Sequence, residues 1–211
     1  MAEKSNVIPI SPESGRKKAY VARNRAALIR AAQEVFAELG PTATMEAVAA
    51  RAEVAASTVY KHFGNKENLL TLALVEAFSA WQEWSLPQFA ETPDPLQQFV
   101  NPMRLLVRIK ATHPLYAELV HSCFSELSSF TTHTTIALRA HMQFLIDEGI
   151  LVIKNLDIRA DNFDACLLAL IGKQTSATPM SEEDADTAIE IALAMLGVSP
   201  AKAKKLAHAI L

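Results

Sequence analysis

The residues with the most chemistry per position lie between 44 and 70, in the run TMEAVAARAEVAASTVYKHFGNKENLL. Ala56, Ser57 and Thr58 are small or hydrogen-bonding, and Tyr60, Lys61 and His62 add a phenol, a cation and an imidazole. Such a set suits a surface that enters a nucleic-acid groove and grips phosphates. The elements that must carry it can be read from spacing. Met45, Val48, Ala49 and Ala52 fall at i, i+3, i+4 and i+7, one apolar stripe on a helix. Thr44 stands before them as an N-cap, because its hydroxyl can accept from an unpaired backbone N–H. After Glu53-Val54-Ala55, a second short helix turns Val59 and Phe63 inward. Two short helices joined by a tight turn form a helix-turn-helix, whose second helix lies in the DNA major groove.

The segment resembles the DNA-binding signature of TetR-type transcriptional regulators over about residues 20–75. The residues that carry the resemblance are Thr44, Val48-Ala49, Ala52-Glu53-Val54, Thr58-Val59-Tyr60, Phe63 and Lys66-Glu67-Asn68-Leu69. It departs from the family pattern twice. Glu53 stands where the family favours Gly, so the turn is expected to hold a side chain at positive φ, at a cost of roughly 1–2 kcal/mol. Ala55 stands where the family favours Ser, which removes one N-cap and one phosphate donor. On this reading Thr44, Tyr60, His62, Lys66 and the basic arm Arg16-Lys17-Lys18 hold phosphates. Ser57, Thr58 and Lys61 read bases, and Ala56 makes an apolar contact.

Charge is divided along the chain. The net charge is −3. Residues 1–66 hold ten Lys/Arg and six Asp/Glu, while 67–211 hold ten and seventeen. A basic front and an acidic back direct nucleic acid to the N-terminal part. Half of the 211 residues are hydrophobic and only six are Gly, which favours a globular, helical chain. The two cysteines build no disulfide framework. No run approaches the ~20 apolar residues of a membrane span, and no apolar signal core opens the chain. A cytoplasmic protein without membrane attachment is expected.

The fold class implied is all-α. Residues 1–15 read as a flexible tail and 16–65 as a three-helix DNA-binding domain, with helices near 18–39, 45–52 and 56–62. Residues 66–211 read as a larger helical domain for ligand binding and dimerisation. Gly40-Pro41 ends the first helix. Asn65 caps a long fourth helix that runs into the second domain. Further helices are expected at about 95–111, 114–122 and 130–148. Residues 150–159 read as a connection, Asp161 as the cap of the next helix, and Ser181 as the cap of the last long one. That last helix is apolar around most of its circumference and must be buried on two sides. Either a second subunit or the tail at 199–211 covers the other side. The resemblance implies a dimer, with Phe163, Leu167, Leu170, Ile189, Leu193 and Leu196 at its interface.

Other chemistries fit poorly. His133 and His141 lie ~12 Å apart along a helix at 1.5 Å per residue and cannot share a zinc. No HExxH, CxxC or EF-hand loop occurs, so neither a metal, a cofactor nor a catalytic residue is assigned. Clustered aromatics offer an apolar cavity instead. Trp81, Trp84, Phe99, Met103, Tyr116, Phe124 and His141 are the candidate lining residues, from a wider group that includes Phe89, Phe130 and Phe144. The chain thus reads as a homodimeric, ligand-responsive regulator, most simply a repressor of a palindromic double-stranded DNA operator. Its effector would be a small apolar or amphipathic molecule. The alternative is a helical small-molecule-binding protein or enzyme that uses the helix-turn-helix as scaffold.

Overall fold

The computed structural model describes residues 12–124 and 128–211, with side chains described for 23–124 and 135–211. The described chain is helical, with no β-strand. The order is α1 (Pro12–Leu39), α2 (Met45–Arg51), α3 (Ala56–Phe63), α4 (Lys66–Ser85), α5 (Pro95–Val107), α6 (Ile109–Thr112), α7 (Pro114–Ser122), α8 (Ser128–Asp147), α9 (Leu156–Thr175), α10 (Glu182–Ala194) and α11 (Pro200–Ala207).

Three of the caps read from the sequence are in place. Thr44 Oγ1 accepts from the Ala47 N–H at 3.1 Å, Asn65 Oδ1 from Asn68 at 2.8 Å, and Ser181 Oγ from Asp184 at 3.1 Å. Gly40 ends α1 at φ 53°. A Cβ there would lie 2.7 Å from the Ser122 carbonyl oxygen, so α1 and α7 meet at a contact only Gly permits.

Several boundaries differ from expectation. α1 begins at Pro12, so residues 12–15 are helix rather than tail, and the rest of the tail lies outside the described residues. α5 stops at Val107 because Arg108 leaves helical geometry. Its guanidinium turns to Asp186 at 2.7 Å and to the Glu182 carbonyl at 3.1 Å. α9 begins at Leu156, ahead of Asp161, after Asn155 adopts φ 57°. Residues 150–155 form a connection. The C-terminal segment is a helix, α11, opened by Pro200 at a position where the missing N–H costs nothing.

Two apolar cores result. The first joins α1, α2 and α3 to α4 and α7 through Phe36, Val48, Val59, Phe63, Leu69, Leu74 and Leu119. The second packs α5, α8, α9, α10 and α11 around Phe99, Met142, Phe163, Ile189, Leu193 and Leu206. The first core crosses the expected boundary at residue 66, so the N-terminal helices are built onto α4 and α7. The α1–α7 seam also holds hydrogen bonds from Ser122 Oγ to the Ala37 carbonyl at 2.7 Å and from Cys123 Sγ to the Phe36 carbonyl at 3.7 Å.

Candidate nucleic-acid interface and internal cavity

The α2–α3 connection is a helix-ending turn with two reciprocal bonds. Val54 N–H donates to the Ala49 carbonyl at 2.9 Å and Glu53 N–H to Ala50 at 3.2 Å. This pattern needs a left-handed residue at Glu53, whose φ is 55°. The turn therefore keeps its shape with Glu in the position that favours Gly. Ala55 precedes α3 with extended backbone and no side-chain cap, as its methyl requires.

α3 sits on α1 and α2 through buried Val59 and Phe63, which fixes its outward face. Ser57, Tyr60, Lys61 and His62 are exposed there, and Ala56 and Thr58 are half-buried. Thr44 is exposed at the start of α2. The Tyr60 hydroxyl donates to Glu46 Oε1 at 3.1 Å, and this bond holds its proton more tightly than usual. Lys66 Nζ donates to the Pro41 carbonyl at 2.7 Å, which ties α4 to the end of α1. Only one of its three donors is engaged there. Arg51 is paired with Glu34 at 3.3 Å and Glu38 at 2.7 Å, so that cation braces α1 against α2. Arg25, absent from the sequence reading, lies over the Phe63 ring at 5.9 Å and pairs with Glu76 at 3.4 Å. Arg16, Lys17 and Lys18 lie on the first turns of α1, and their side chains are outside the described residues.

Between α4, α5, α7, α8 and α9 lies a cavity of about 240 Å³. Trp81, Phe99, Met103, Tyr116 and His141 line it, joined by Phe78, Gln98, Pro102, Asp164 and Leu167. Two expected lining residues do not. Trp84 is 41% exposed and packs edge-on against His113 at 4.9 Å on the outside of α4. Phe124 is 47% exposed, with its ring against Gly172 of α9. Phe130 lies outside the described side chains.

The polar groups of the cavity are few. Thr135 Oγ1 donates to Asp164 Oδ2 at 3.0 Å, and both residues are buried. Burial, then the nearby Asp164 charge, pushes the Tyr116 hydroxyl far above its ordinary pKa, so it stays protonated. Burial lowers the pKa of His141, which is neutral at pH 7. The buried indole Nε1 of Trp81 has no hydrogen-bond partner among the described residues. Asp164 was legible as an oddity, a carboxylate among Ala160, Phe163, Leu167 and Ile171 on the apolar face of α9. Among the described residues no group of three His, Cys, Asp or Glu could hold a metal ion.

The expected dimer residues lie elsewhere. Phe163, Leu167, Ile189, Leu193 and Leu196 are buried in this chain's own second core, and Leu170 is half-buried. α5 and α11 cover α10, so those side chains are already enclosed. The outward faces of α9 and α10 carry Ile158, Ala165, Ala169, Ile191 and Ala194 instead.

Comparison with known proteins places this geometry. Residues 28–73 match the family described as bacterial regulatory proteins, tetR family. An HTH-type transcriptional repressor of Mycobacterium tuberculosis, Rv3405c, is 39% identical over 66 residues, which are 30% of this chain and 35% of that protein. An HTH-type regulator of Mycobacterium bovis matches equally. The matched region thus spans about a third of the length of these curated relatives. Over nearly the whole chain the fold is similar to that of RolR in complex with resorcinol, with a TM-score of 0.73, 22% identity, and coverage of 92% of this chain and 97% of RolR. It is also similar to the fatty acid degradation regulator FadR of Bacillus halodurans, with a TM-score of 0.60, 16% identity, and coverage of 82% and 95%. Among the described residues no helix is long and apolar enough to cross a membrane. Residues 28–73, which hold the helix-turn-helix, thus match the tetR family of bacterial regulatory proteins in sequence, and the chain as a whole is similar in fold to RolR and FadR.

Proposed function

We propose that the protein is a cytoplasmic homodimeric repressor that releases a palindromic operator when a small molecule fills its cavity. The observation that carries this reading is the exposed face of α3. Ser57, Tyr60, Lys61 and His62 project from a helix held by a capped α2 and a two-bond turn. The side-chain types match direct base reading and phosphate contact. Arg16, Lys17, Lys18, Thr44 and Lys66 would add phosphate contacts.

The cavity supports ligand response because its walls include Phe78 and Trp81 of α4 and Tyr116 of α7. Both helices bear directly on the DNA-binding helices. A ligand that moves either wall changes the separation of the two recognition helices in a dimer. Two half-sites a helical turn apart cannot both be filled at the wrong separation. That RolR, of the same fold, holds resorcinol is consistent with a ligand site in this protein. Dimerisation through the outward Ile158, Ala165, Ala169, Ile191 and Ala194 would remove an exposed apolar face from water.

Selection of bound sequences from a random DNA pool tests the reading. An inverted repeat is expected, with log affinity falling against log salt at about −0.9 per phosphate neutralised. A pool that yields no enriched sequence, or binding insensitive to salt, would overturn it.

A further inference from the structure

The exposed side of the helix-turn-helix carries a carboxylate where an anion would have to dock. Glu46 stands in the first turn of α2, two residues after the Thr44 cap, and is exposed. Its Oε1 accepts from the Tyr60 hydroxyl of α3 at 3.1 Å. Val59 and Phe63 are the buried residues of α3. At about 100° per residue, Ser57 and Lys61 point away from them and Tyr60 lies on a flank. The bond to Glu46 identifies that flank as the one beside the start of α2. Thr44 and Tyr60, whose hydroxyls suit phosphate contact, therefore share a side of the motif with Glu46.

A tyrosine hydroxyl has a single proton to donate. While Glu46 holds it, Tyr60 turns only lone pairs outward, and a phosphate oxygen, also an acceptor, gains nothing from them. A phosphate oxygen about 2.7 Å from the hydroxyl would stand at most about 6 Å from the Glu46 oxygen. That lies inside the Debye length of about 10 Å at 0.1 M salt, so the repulsion survives screening.

The local balance of charge gives this carboxylate weight. Arg51, the arginine of α2, is turned back to Glu34 and Glu38 of α1. Lys61, the lysine of α3, is offset by Glu46 and by Glu53 on the turn. Glu46 is thus a large share of the fixed charge on a face whose sequence-independent affinity for DNA is electrostatic.

We propose that Glu46 is a restraining residue of the DNA interface: it withholds the Tyr60 proton, repels the phosphate that Tyr60 would meet, and so sets the affinity below what the remaining contacts allow. Tyr60 grips a phosphate only once Glu46 has released it. The backbone grip is weakened on every sequence, and discrimination is left to Ser57, Thr58 and Lys61. The inference rests on reading α3 as a DNA-binding helix.

The test uses the full chain and two duplexes of equal length, one selected from the random pool and one unrelated. Anisotropy follows binding from about 50 to 200 mM salt. Glu46→Gln removes the charge, and Glu46→Ala removes the acceptor as well. Each should tighten both duplexes about threefold or more for every bound chain. Each should also steepen the salt slope by about one unit for every bound chain. Tyr60→Phe completes a double-mutant cycle. Its loss of affinity should be about threefold or more greater in the Glu46→Ala background, where the proton is free, than in the unmodified chain. A merely structural role, such as the favourable placement of Glu46 at the N-terminus of α2, would instead lower the melting temperature and weaken binding. Binding that Glu46→Gln weakens or leaves unchanged overturns the proposal, as does a Tyr60→Phe loss that is equal in both backgrounds. An unmodified chain that ignores DNA at every salt concentration removes the DNA-binding reading and this proposal together. Salt-dependent binding by the unmodified chain that Glu46→Gln fails to tighten removes the proposal alone.

Discussion

Lys61 and Lys66 are five positions apart and are set for different tasks. Lys61 is exposed on the face of α3, whereas Lys66 opens α4 and is anchored to the Pro41 carbonyl. Lys61→Ala should relax preference at one position of each half-site, by about 1–3 kcal/mol. Lys66→Ala should weaken all sequences alike and flatten the salt slope by about one unit. It should also lower stability by about 0.5–1.5 kcal/mol through the lost Pro41 bond. Identical sequence profiles for the two variants would show that these roles are misassigned. Glu53 gives a second residue-level prediction. Its φ of 55° stores strain that Gly would relieve, while Gly also enlarges the entropy of the unfolded chain. Glu53→Gly should be neutral to stabilising by about 0–1 kcal/mol, read from denaturant midpoints; a clear loss would count against strain at this turn. Thr44, Glu53 and Ala55 were legible in sequence because caps and turns are decided within a few residues. The Tyr60–Glu46 bond was not, because it depends on a neighbouring helix.

At the scale of elements, the faces of α9 and α10 decide association. The stripe expected to meet a partner is enclosed within the chain, and the outward face carries Ile158 at 62% and Ile191 at 67% exposure. Ile191→Glu should therefore yield a monomer in sedimentation at micromolar concentration, with an unchanged helical spectrum and much weaker DNA binding. A variant that stays dimeric would move the interface to another surface. Helix existence was legible almost throughout from apolar spacing. Facing was not, because a helix apolar around most of its circumference does not say which side meets its own core. α11 was read as a tail because its Lys-rich sequence hides three small or apolar residues, Ala203, Leu206 and Ala207, that cover α10.

At the scale of the molecule, one ionic cluster fastens α5 to α10 and to the C-terminal end. Asp186 meets Arg104 at 3.0 Å and Arg108 at 2.7 Å, and Arg104 also donates to the Ala209 carbonyl at 2.7 Å. Burial pushes the Asp186 carboxyl upward, but hydrogen bonds from both arginines outweigh it and hold the pKa below the ordinary value. A carboxyl depressed in the folded state stabilises the fold above its unfolded pKa. That contribution is lost as pH falls through the folded pKa. Asp186→Asn leaves the 3%-exposed Arg104 uncompensated and should cost about 3–5 kcal/mol near neutrality. Melting temperatures of variant and parent should converge as pH drops below the ordinary carboxylate range. A constant gap down to pH 2 would rule this linkage out. The division into basic front and acidic back was legible from charge alone. The continuity of one core across residue 66 was not, since contacts between α1 and α7 join residues more than eighty positions apart.

Gly40 lets α1 rest on α7 closely enough that a methyl group would collide with Ser122. The N-terminal helices are thereby fastened to the rest of the molecule at two separated places, through α4 and at this seam. A rigid body pinned at one point keeps three rotations, but pinned at two it keeps one, about the line that joins them. α3 therefore turns most readily about that line, and a push from the interior reaches it chiefly as rotation about it. Such a joint acts as a hinge with one preferred axis, and the Gly40 contact with Ser122 is one of the two points that set its direction.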